Sequence, residues 1–397
     1  MNLQALQTEV HNLLATGEPE RAEALLRPHL AGGVGPLPLW RQMAQALRRQ
    51  CRMQEVKQIQ MMLVESSPGD LSARFDLAET LLLLGEFDRG WREYRYRYSL
   101  AHTTRIERKV QRPRWEGEKM PGKTLLIHDE QGYGDTFQFI RLVREAALRS
   151  QARVVLEVNH ETLALARRSL ARPGLPALEI LPRGQLPPPF DVHCEMMSLP
   201  MALGLQLSDL PGPIPYFAAD PARVERWRAR LAALPRPLVA LAWAGRPAHP
   251  NDANRSIALE TFSPLASAGA HFIAIQKGPA AAQAVAPPAG MNLTSLSDEI
   301  ADFDDTAAIF CLADLLISVD SSPVHLAGAL GRPAWVMLPF VPDWRWLLGR
   351  ADTPWYPQHR LFRQARHGGW APVVAALAAE LSRLVAASRD GGTAFRR

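Results

Sequence analysis

An acid, two hydroxyls and an imidazole fall within one turn of the chain in SVDSSPVHLAGALGRP, as Asp320, Ser321, Ser322 and His325. They follow the apolar run LLISV and precede a helical pattern, so they stand where a buried strand hands over to a helix. Ser321 or Ser322 is a natural N-cap, and Pro323 fits the first helical turn. The positive end of that helix suits an anion, with Asp320 and His325 flanking it. A phosphate attached to a ribose or another sugar matches this set: amide hydrogens and hydroxyls for the phosphate, side chains for the sugar hydroxyls. The alternative is that Asp320 caps backbone and His325 packs. Gly328 is expected to bring the helix close to its sheet, and Gly331 suits a left-handed helix end.

Three further stretches carry candidate chemistry. In EQGYGDTFQFIR the turn glycines Gly132 and Gly134 precede Asp135, which with Gln138 three residues on reads as a capping box. In AWAGRPAHPNDANRSI, Gly245 permits close approach of a ligand at a strand end, and Trp243 either offers a flat face or packs in the core. Arg255 leads out of the long polar turn. Lys277, in IQKG, is a cation at another strand end, facing either a ligand or solvent. Asp302-Phe303-Asp304 has the form of a metal-binding Asp-x-Asp, but stands directly before TAAIFCLAD and reads as an N-cap. Trp344, Trp346 and Trp355, in the aromatic run FVPDWRWLLGRADTPWYP, either line a sugar pocket or pack the loop. His128, His193 and His249 form no metal-ligand spacing with any acid or cysteine.

The elements that must position these residues follow from the pattern. From Lys123 the chain alternates strand and helix: KTLLIHDE, a glycine-bearing turn, TFQFIRLVREAALRS read as one helix, then RVVLEV. Such βαβ units give a parallel sheet with covering helices. Proline-rich LPRGQLPPP and LPGPIPYF interrupt the pattern. Beyond them Asp220 and Pro221 open a helix, and the alternation resumes through PLVALAWAG, HFIAIQKG, LLISVD and PAWVMLP. We therefore expect two Rossmann-like domains, residues 123–217 and 218–397, the second ending in a helix from about Pro372. Ligands of such sheets bind outside the carboxyl ends of the strands.

The front of the chain differs. Turn-like tetrads GEPE, CRMQ and GEFD begin at Gly17, Cys51 and Gly85, a spacing of 34 residues. Small or apolar residues recur in phase at Val10, Ala44 and Ala78, and at Leu47 and Leu81. This is the period of tetratricopeptide helix pairs, and about three copies are needed for such a stack to stand alone. Residues 1–98 are expected to form an all-α solenoid, serving either as a spacer or dimerising cap or as a concave surface that grips a peptide. Residues 99–122 read as a linker whose cations, Arg105, Arg108, Lys109, Arg112 and Arg114, form a solvated strip.

Bulk composition narrows the function. With 45 Lys+Arg against 40 Asp+Glu, the formal charge of +5 favours anionic ligands but is too small for a dedicated nucleic-acid binder. Three scattered cysteines fit a reducing compartment, so a cytoplasmic location is expected. The N-terminus lacks the basic start and apolar run of a signal peptide, and no stretch approaches the ~18 apolar residues of a membrane span.

The order of the three blocks EQGYGDTFQFIR, AWAGRPAHPNDANRSI and SVDSSPVHLAGALGRP resembles that of GT-B glycosyltransferases. It is most similar to the ADP-heptose:lipopolysaccharide heptosyltransferases of glycosyltransferase family 9 and to related bacterial enzymes carrying tetratricopeptide repeats. The layout is more remotely similar to O-GlcNAc transferases. The resemblance implies a GT-B-like pair of Rossmann-like domains, acceptor side first and nucleotide-sugar side second. It implies an inverting transfer to an acceptor hydroxyl without metal or other cofactor, Asp135 being the candidate base. Gly132, Gly134, Trp243, Gly245, Arg255, Lys277, Asp320, Ser321, Ser322 and His325 are the candidate donor-binding residues. Arg255 stands where such enzymes often carry lysine; the forked guanidinium keeps the charge and changes the contact. The expected partners are a nucleotide-sugar and, through the repeats, a protein acceptor or a second copy of the chain. The alternatives are transfer to a lipopolysaccharide or polysaccharide, or a non-catalytic scaffold that senses nucleotide-sugars. A dinucleotide oxidoreductase is disfavoured, since GYGDTF lacks the third glycine of GxGxxG and no acid follows at the ribose position.

Overall fold

The computed structural model describes residues 2–99, 110–171 and 178–389. The linker cations Arg105, Arg108 and Lys109 lie outside them. The chain forms two compact units. One holds the described residues up to 99 together with Leu205–Leu207 and Val341–Gly349, and the other holds the rest.

The first unit is built from helix pairs: α1 (Leu3–Ala15) with α2 (Pro19–Leu26), α3 (Leu37–Arg49) with α4 (Met53–Ser66), and α5 (Leu71–Leu83) with α6 (Phe87–Tyr94). First helices start at Leu3, Leu37 and Leu71, second helices at Pro19, Met53 and Phe87, so each series advances by the same 34 residues (37 − 3 and 71 − 37; 53 − 19 and 87 − 53). Caps fix several starts: Asn2 accepts from the Ala5 amide at 2.8 Å and Asp70 from the Ala73 amide at 3.0 Å. The in-phase positions Val10, Ala44, Leu47, Ala78 and Leu81 are all buried. Arg52 reaches back to Glu23 at 2.8 Å, and Lys57 forward to Glu86 at 2.7 Å, tying successive pairs. The expected boundary near residue 98 omits two later segments that complete this unit. The Trp91 indole donates to the Leu205 carbonyl at 3.1 Å, and Trp344 packs edge-on against Trp91 with ring centroids 5.3 Å apart. Aromatic burial, invisible in the spacing, holds them there.

The second unit contains two parallel sheets. The first comprises β1 (Thr124–His128), β2 (Arg153–Val158), β3 (Leu178–Pro182) and β4 (Val192–Glu195), ordered β3-β2-β1-β4. Helices α7 (Tyr133–Phe139) and α8 (Leu142–Ser150) connect β1 to β2, followed by α9 (His160–Leu170) and α10 (Leu199–Leu203). The single helix expected over TFQFIRLVREAALRS is thus broken at Ile140 and Arg141. There the Arg141 guanidinium donates to the Pro211 carbonyl at 2.7 Å and to the Tyr216 hydroxyl at 2.8 Å.

The second sheet follows α11 (Pro221–Leu231). Its strands are β5 (Leu238–Ala242), β6 (His271–Ala274), β7 (Leu293–Ser295), β8 (Leu315–Val319), β9 (Ala334–Leu338) and β10 (His359–Arg363), ordered β10-β9-β8-β5-β6-β7. Helices α12 (Asp252–Arg255), α13 (Phe303–Leu312), α14 (Ser322–Ala329) and α15 (Trp370–Arg389) complete it. After α12 the chain makes a ten-residue 3-10 segment, Leu259–Ala268, with Pro264 inside it. Central strands β5, β8 and β9 are buried at every position, as parallel strands covered on both faces must be. Among the described residues α15 alone is long and apolar enough to cross a membrane. It packs Val373, Val374, Leu377, Leu381 and Val385 into the core of the second sheet.

In each sheet the chain walks outward from its first strand and then returns to that strand's other side. The order therefore reverses between β1 and β4, and again between β5 and β8. Crevices at such reversals, outside the carboxyl ends of the strands, are where open α/β sheets hold ligands.

Candidate functional site

The reversal between β5 and β8 gathers two of the three sequence blocks. At the end of β5 the chain turns through Trp243, Ala244 and Gly245; at the end of β8 it reaches Asp320 and Ser321. Arg255, on α12, joins them: its Nη1 donates to the Asp320 carbonyl at 2.8 Å, and its Nε lies 3.3 Å from an Asp252 carboxylate oxygen. Gly245 is packed so closely that a Cβ there would stand 2.5 Å from Arg255 Nη2 and 2.6 Å from Asp252. Its amide donates to Ser256 Oγ at 2.9 Å. A cleft of about 410 Å³ opens beside Gly245, Asp252 and Ser256 and runs on to Pro279, Ala280 and Gln283.

The third block comes from the other half of the unit. Gly132 is the N-cap of α7, and Asp135, three residues in, accepts from the Gly132 amide at 3.0 Å. The helix starts at Tyr133 and not at Thr136, so Asp135 sits in its first turn and takes the Gly132 amide; glycine has no side chain to return the bond, and the expected capping box opened by Asp135 does not form. A Cβ on Gly134 would lie 3.5 Å from the Ser322 Cα and 2.9 Å from the His325 ring. The start of α7 therefore abuts the start of α14. Rings pack α7 against α13 as well: Tyr133 and Phe137 each meet Phe303, with centroids 4.8 and 4.9 Å apart.

Ser321 is the N-cap of α14 by position, but its hydroxyl turns back to the Val319 carbonyl at 3.2 Å instead of capping. Ser321, Ser322 and Pro323 are all half-buried, whereas Asp320 is buried. Gly328 serves a contact other than the expected one with the sheet: a Cβ there would come within 2.2 Å of the Tyr356 ring. Gly331 takes φ 67° just past the helix end.

Three of the expected donor-binding residues are placed elsewhere. His325 is 5% exposed, and its Nδ1 is 3.0 Å from the Tyr356 hydroxyl. The approach of α7 covers its ring, so His325 packs the junction and is not itself open to an anion, while Ser321–Pro323 stay half-buried. Trp243 is fully buried within the core of the second sheet. Lys277 turns its ammonium onto the Ser297 and Ile300 carbonyls, at 2.6 and 3.0 Å, and so closes a loop.

Other readings resolve in the same way. Asp302 is the N-cap of α13, accepting from the Asp305 amide at 3.0 Å, and takes a forked contact from Arg223; Asp304 pairs with Arg168. Trp344, Trp346 and Trp355 are buried, and Trp355 packs on Phe139 at 5.7 Å. Arg114, expected in a solvated strip, clasps buried Glu195 at 2.6 Å.

Sequence reasoning missed the residues that hold this geometry. Gln276 is one: its Oε1 accepts from the amides of both Trp243 and Ala244 at 2.9 Å, clamping the turn after β5. Behind the turn after β1, Asp129 accepts from the Asn159 amide at 2.7 Å, and burial pushes its carboxyl up to about 6. His128 and His193 also meet, Nε2 to Nδ1 at 3.2 Å, beside Glu195. Their separation along the chain hides what the pairing of β1 with β4 brings together.

No protein-family model matches the chain. Protein FlbA of Caulobacter vibrioides is 29% identical over 340 residues, covering 79% of this chain and 56% of FlbA, so the chain spans little more than half of that relative. Among solved structures, E. coli ADP-heptose lipopolysaccharide heptosyltransferase II superposes with a TM-score of 0.45 at 14% identity, over 66% of this chain and 99% of that one. A glycosyl transferase of family 9 from Veillonella parvula gives 0.43 at 10% identity, over 63% and 88%. Superpositions this loose leave the chemistry to be read from the chain's own residues.

Proposed function

We propose that the chain is a glycosyltransferase that moves a sugar from a nucleotide-sugar to an acceptor hydroxyl, with inversion. The observation that supports this reading is the meeting of Gly134–Asp135, Gly245–Arg255 and Asp320–Ser322 at the β5–β8 reversal, around the start of α14. The donor's diphosphate is met there by the positive end of α14 and by Arg255, without a metal ion. The nucleoside lies in the cleft beside Gly245, whose volume of about 410 Å³ falls in the range of ligand pockets. Asp135, one residue from the α7–α14 contact, takes the proton of the attacking hydroxyl. The helix pairs, read as tetratricopeptide-type repeats, present a protein acceptor.

Asp135→Asn tests this cleanly, because the amide oxygen still accepts the Gly132 N–H and spares the helix start. Transfer or donor hydrolysis is measured with UDP-, GDP-, ADP- and CMP-sugars, and binding of each nucleotide in parallel. Loss of turnover with binding intact supports the transferase. Binding without turnover in the wild-type chain, across protein and glycan acceptors, identifies a nucleotide-sugar-sensing scaffold instead.

A further inference from the structure

The strand reversal of the first sheet carries a cluster that the transfer chemistry does not use. His128 is the last residue of β1 and Glu195 the last of β4, and the two are register partners. His193 lies two residues before Glu195, hence on the same face of the sheet. All three are buried, at 0%, 3% and 1% exposure for His128, His193 and Glu195. One ligand atom from each lies within 4.8 Å of the others.

We infer that His128, His193 and Glu195 form a binding site for one divalent first-row transition ion of the zinc class. The first argument is distance. The facing nitrogens of His128 and His193 are 3.2 Å apart, close to the edge spanned by two imidazoles that each bind one ion at ~2.1 Å. The second is donor chemistry: two imidazoles and one carboxylate suit zinc, cobalt, nickel or ferrous iron and not calcium or magnesium, which take oxygen. The third is support around the carboxylate. Arg114 donates to one Glu195 oxygen through Nε at 2.9 Å and Nη2 at 2.6 Å, and Ser198 Oγ donates to the other at 3.2 Å. Outer partners of this kind hold a ligating carboxylate in orientation. The fourth is place, since the cluster sits at the carboxyl ends of the two strands where the order reverses.

In the metal-free chain the two imidazoles share a hydrogen bond, so one facing nitrogen carries a proton. Entry of the ion requires that ring to take its other tautomer, the proton passing to the nitrogen that faces away while the imidazole stays neutral, and ties β1 to β4 at the root of the turn that delivers Asp135. The inference stands apart from the transferase reading, because binding is read without donor or acceptor.

The full-length chain, stripped of metal with a chelator, is titrated with Co²⁺ and followed by visible absorption, with Zn²⁺ as competitor. Expected is a d–d band that saturates at one equivalent and is displaced by Zn²⁺. His128→Gln and His193→Asn each preserve a hydrogen-bonding group, and Glu195→Gln preserves shape; each lowers affinity by at least about tenfold, with unchanged far-ultraviolet circular dichroism. A chain that gives no band at one equivalent overturns the inference. So does a band of unchanged affinity in both folded histidine variants, which assigns the ion to surface histidines. If one variant fails to fold, the wild-type stoichiometry and the remaining variants decide.

Discussion

Gly134 lies against His325 where α7 meets α14, leaving 2.9 Å between the imidazole Cδ2 and the place a Cβ would occupy. Nothing in the backbone torsion demands glycine here; the neighbour does. His325 is itself anchored, by Tyr356 at 3.0 Å. Tyr356 fills the space left by Gly328, where a Cβ would come within 2.2 Å of its ring. Gly134 thus sets how closely α7 approaches α14, and Gly328 how closely Tyr356 lies on α14.

Gly134→Ala is expected to force His325 or the start of α7 to move, at a cost of about 1–3 kcal/mol, the range for overpacking a filled interior. Gly328→Ala is expected to cost more, because a ring backed by other side chains must shift. Both are measured as a fall in denaturant midpoint at constant slope. An unchanged midpoint in Gly134→Ala means that the junction is looser than the distances state.

Arg255 bridges the turn after β5 and the end of β8, so its removal should weaken nucleotide diphosphate binding more than it weakens the fold. A charge-assisted hydrogen bond contributes about 1.5–3 kcal/mol, which corresponds to a roughly 10- to 150-fold loss of affinity in Arg255→Ala. Arg255→Lys keeps the charge and loses the fork, and is expected to fall between. Lys277→Ala is the control: its ammonium closes a loop on two carbonyls, so affinity is unchanged while the thermal midpoint falls. Calorimetric titration of both variants separates the roles, and an affinity loss in Lys277→Ala returns that residue to the binding site.

The contrast between Arg255 and Lys277 shows how far the sequence reaches. Both are cations near strand ends, and type and spacing alone do not show that Arg255 spans from Asp252 to the Asp320 carbonyl while Lys277 closes a loop on Ser297 and Ile300. Features contiguous in the chain were legible: the strand-to-helix turn at Asp320–Pro323, the N-cap at Asp302, and the 34-residue advance of the helix pairs. Features assembled across strands were not. Gln276 reaches Trp243 across 33 residues, and His128 meets His193 across 65. Strand register, which no local pattern displays, makes those contacts. The short strands β4 and β7 escaped for a related reason, since four and three residues carry too little periodicity to stand out.

Acid stability offers a third test. His359 opens β10, is buried, and burial pushes its imidazole down to about 3 from an ordinary 6.5. It is neutral when folded, whereas the unfolded chain takes up a proton below ~6.5. Its contribution is therefore complete above that pH and is lost as pH falls toward 3, at up to ~1.4 kcal/mol per unit. Asp129 and Asp76, each pushed up to about 6 by burial, act in the opposite sense. They bind protons in the folded state first and gain stability as pH falls from about 6 toward the ordinary carboxylate value of ~3.9. The wild-type curve is the sum of these slopes. Unfolding free energy against pH for the wild type and His359→Phe isolates the histidine: between pH ~6.5 and ~4 the variant should lose less stability per unit. Parallel curves would show that the imidazole stays protonated inside.

The turn inside each helix pair places one residue in the left-handed region: Gly17 at φ 80°, Cys51 at φ 59° and Gly85 at φ 80°. The middle pair puts a side chain where the other two have none. A residue with a Cβ pays roughly 1–2 kcal/mol in that conformation, while glycine loses about 0.4–1 kcal/mol more entropy on folding. Cys51→Gly is therefore expected to stabilise the full chain by about 0.5–1 kcal/mol, read from the denaturant midpoint at 222 nm. Gly17→Ala supplies the converse, since open space surrounds its Cβ position and only the torsion opposes the substitution. Gly85 is less clean, because Leu207 lies 3.4 Å away. Destabilisation by Cys51→Gly would show that the thiol's packing outweighs the torsional cost, and that the middle turn is held by contacts the outer two do without.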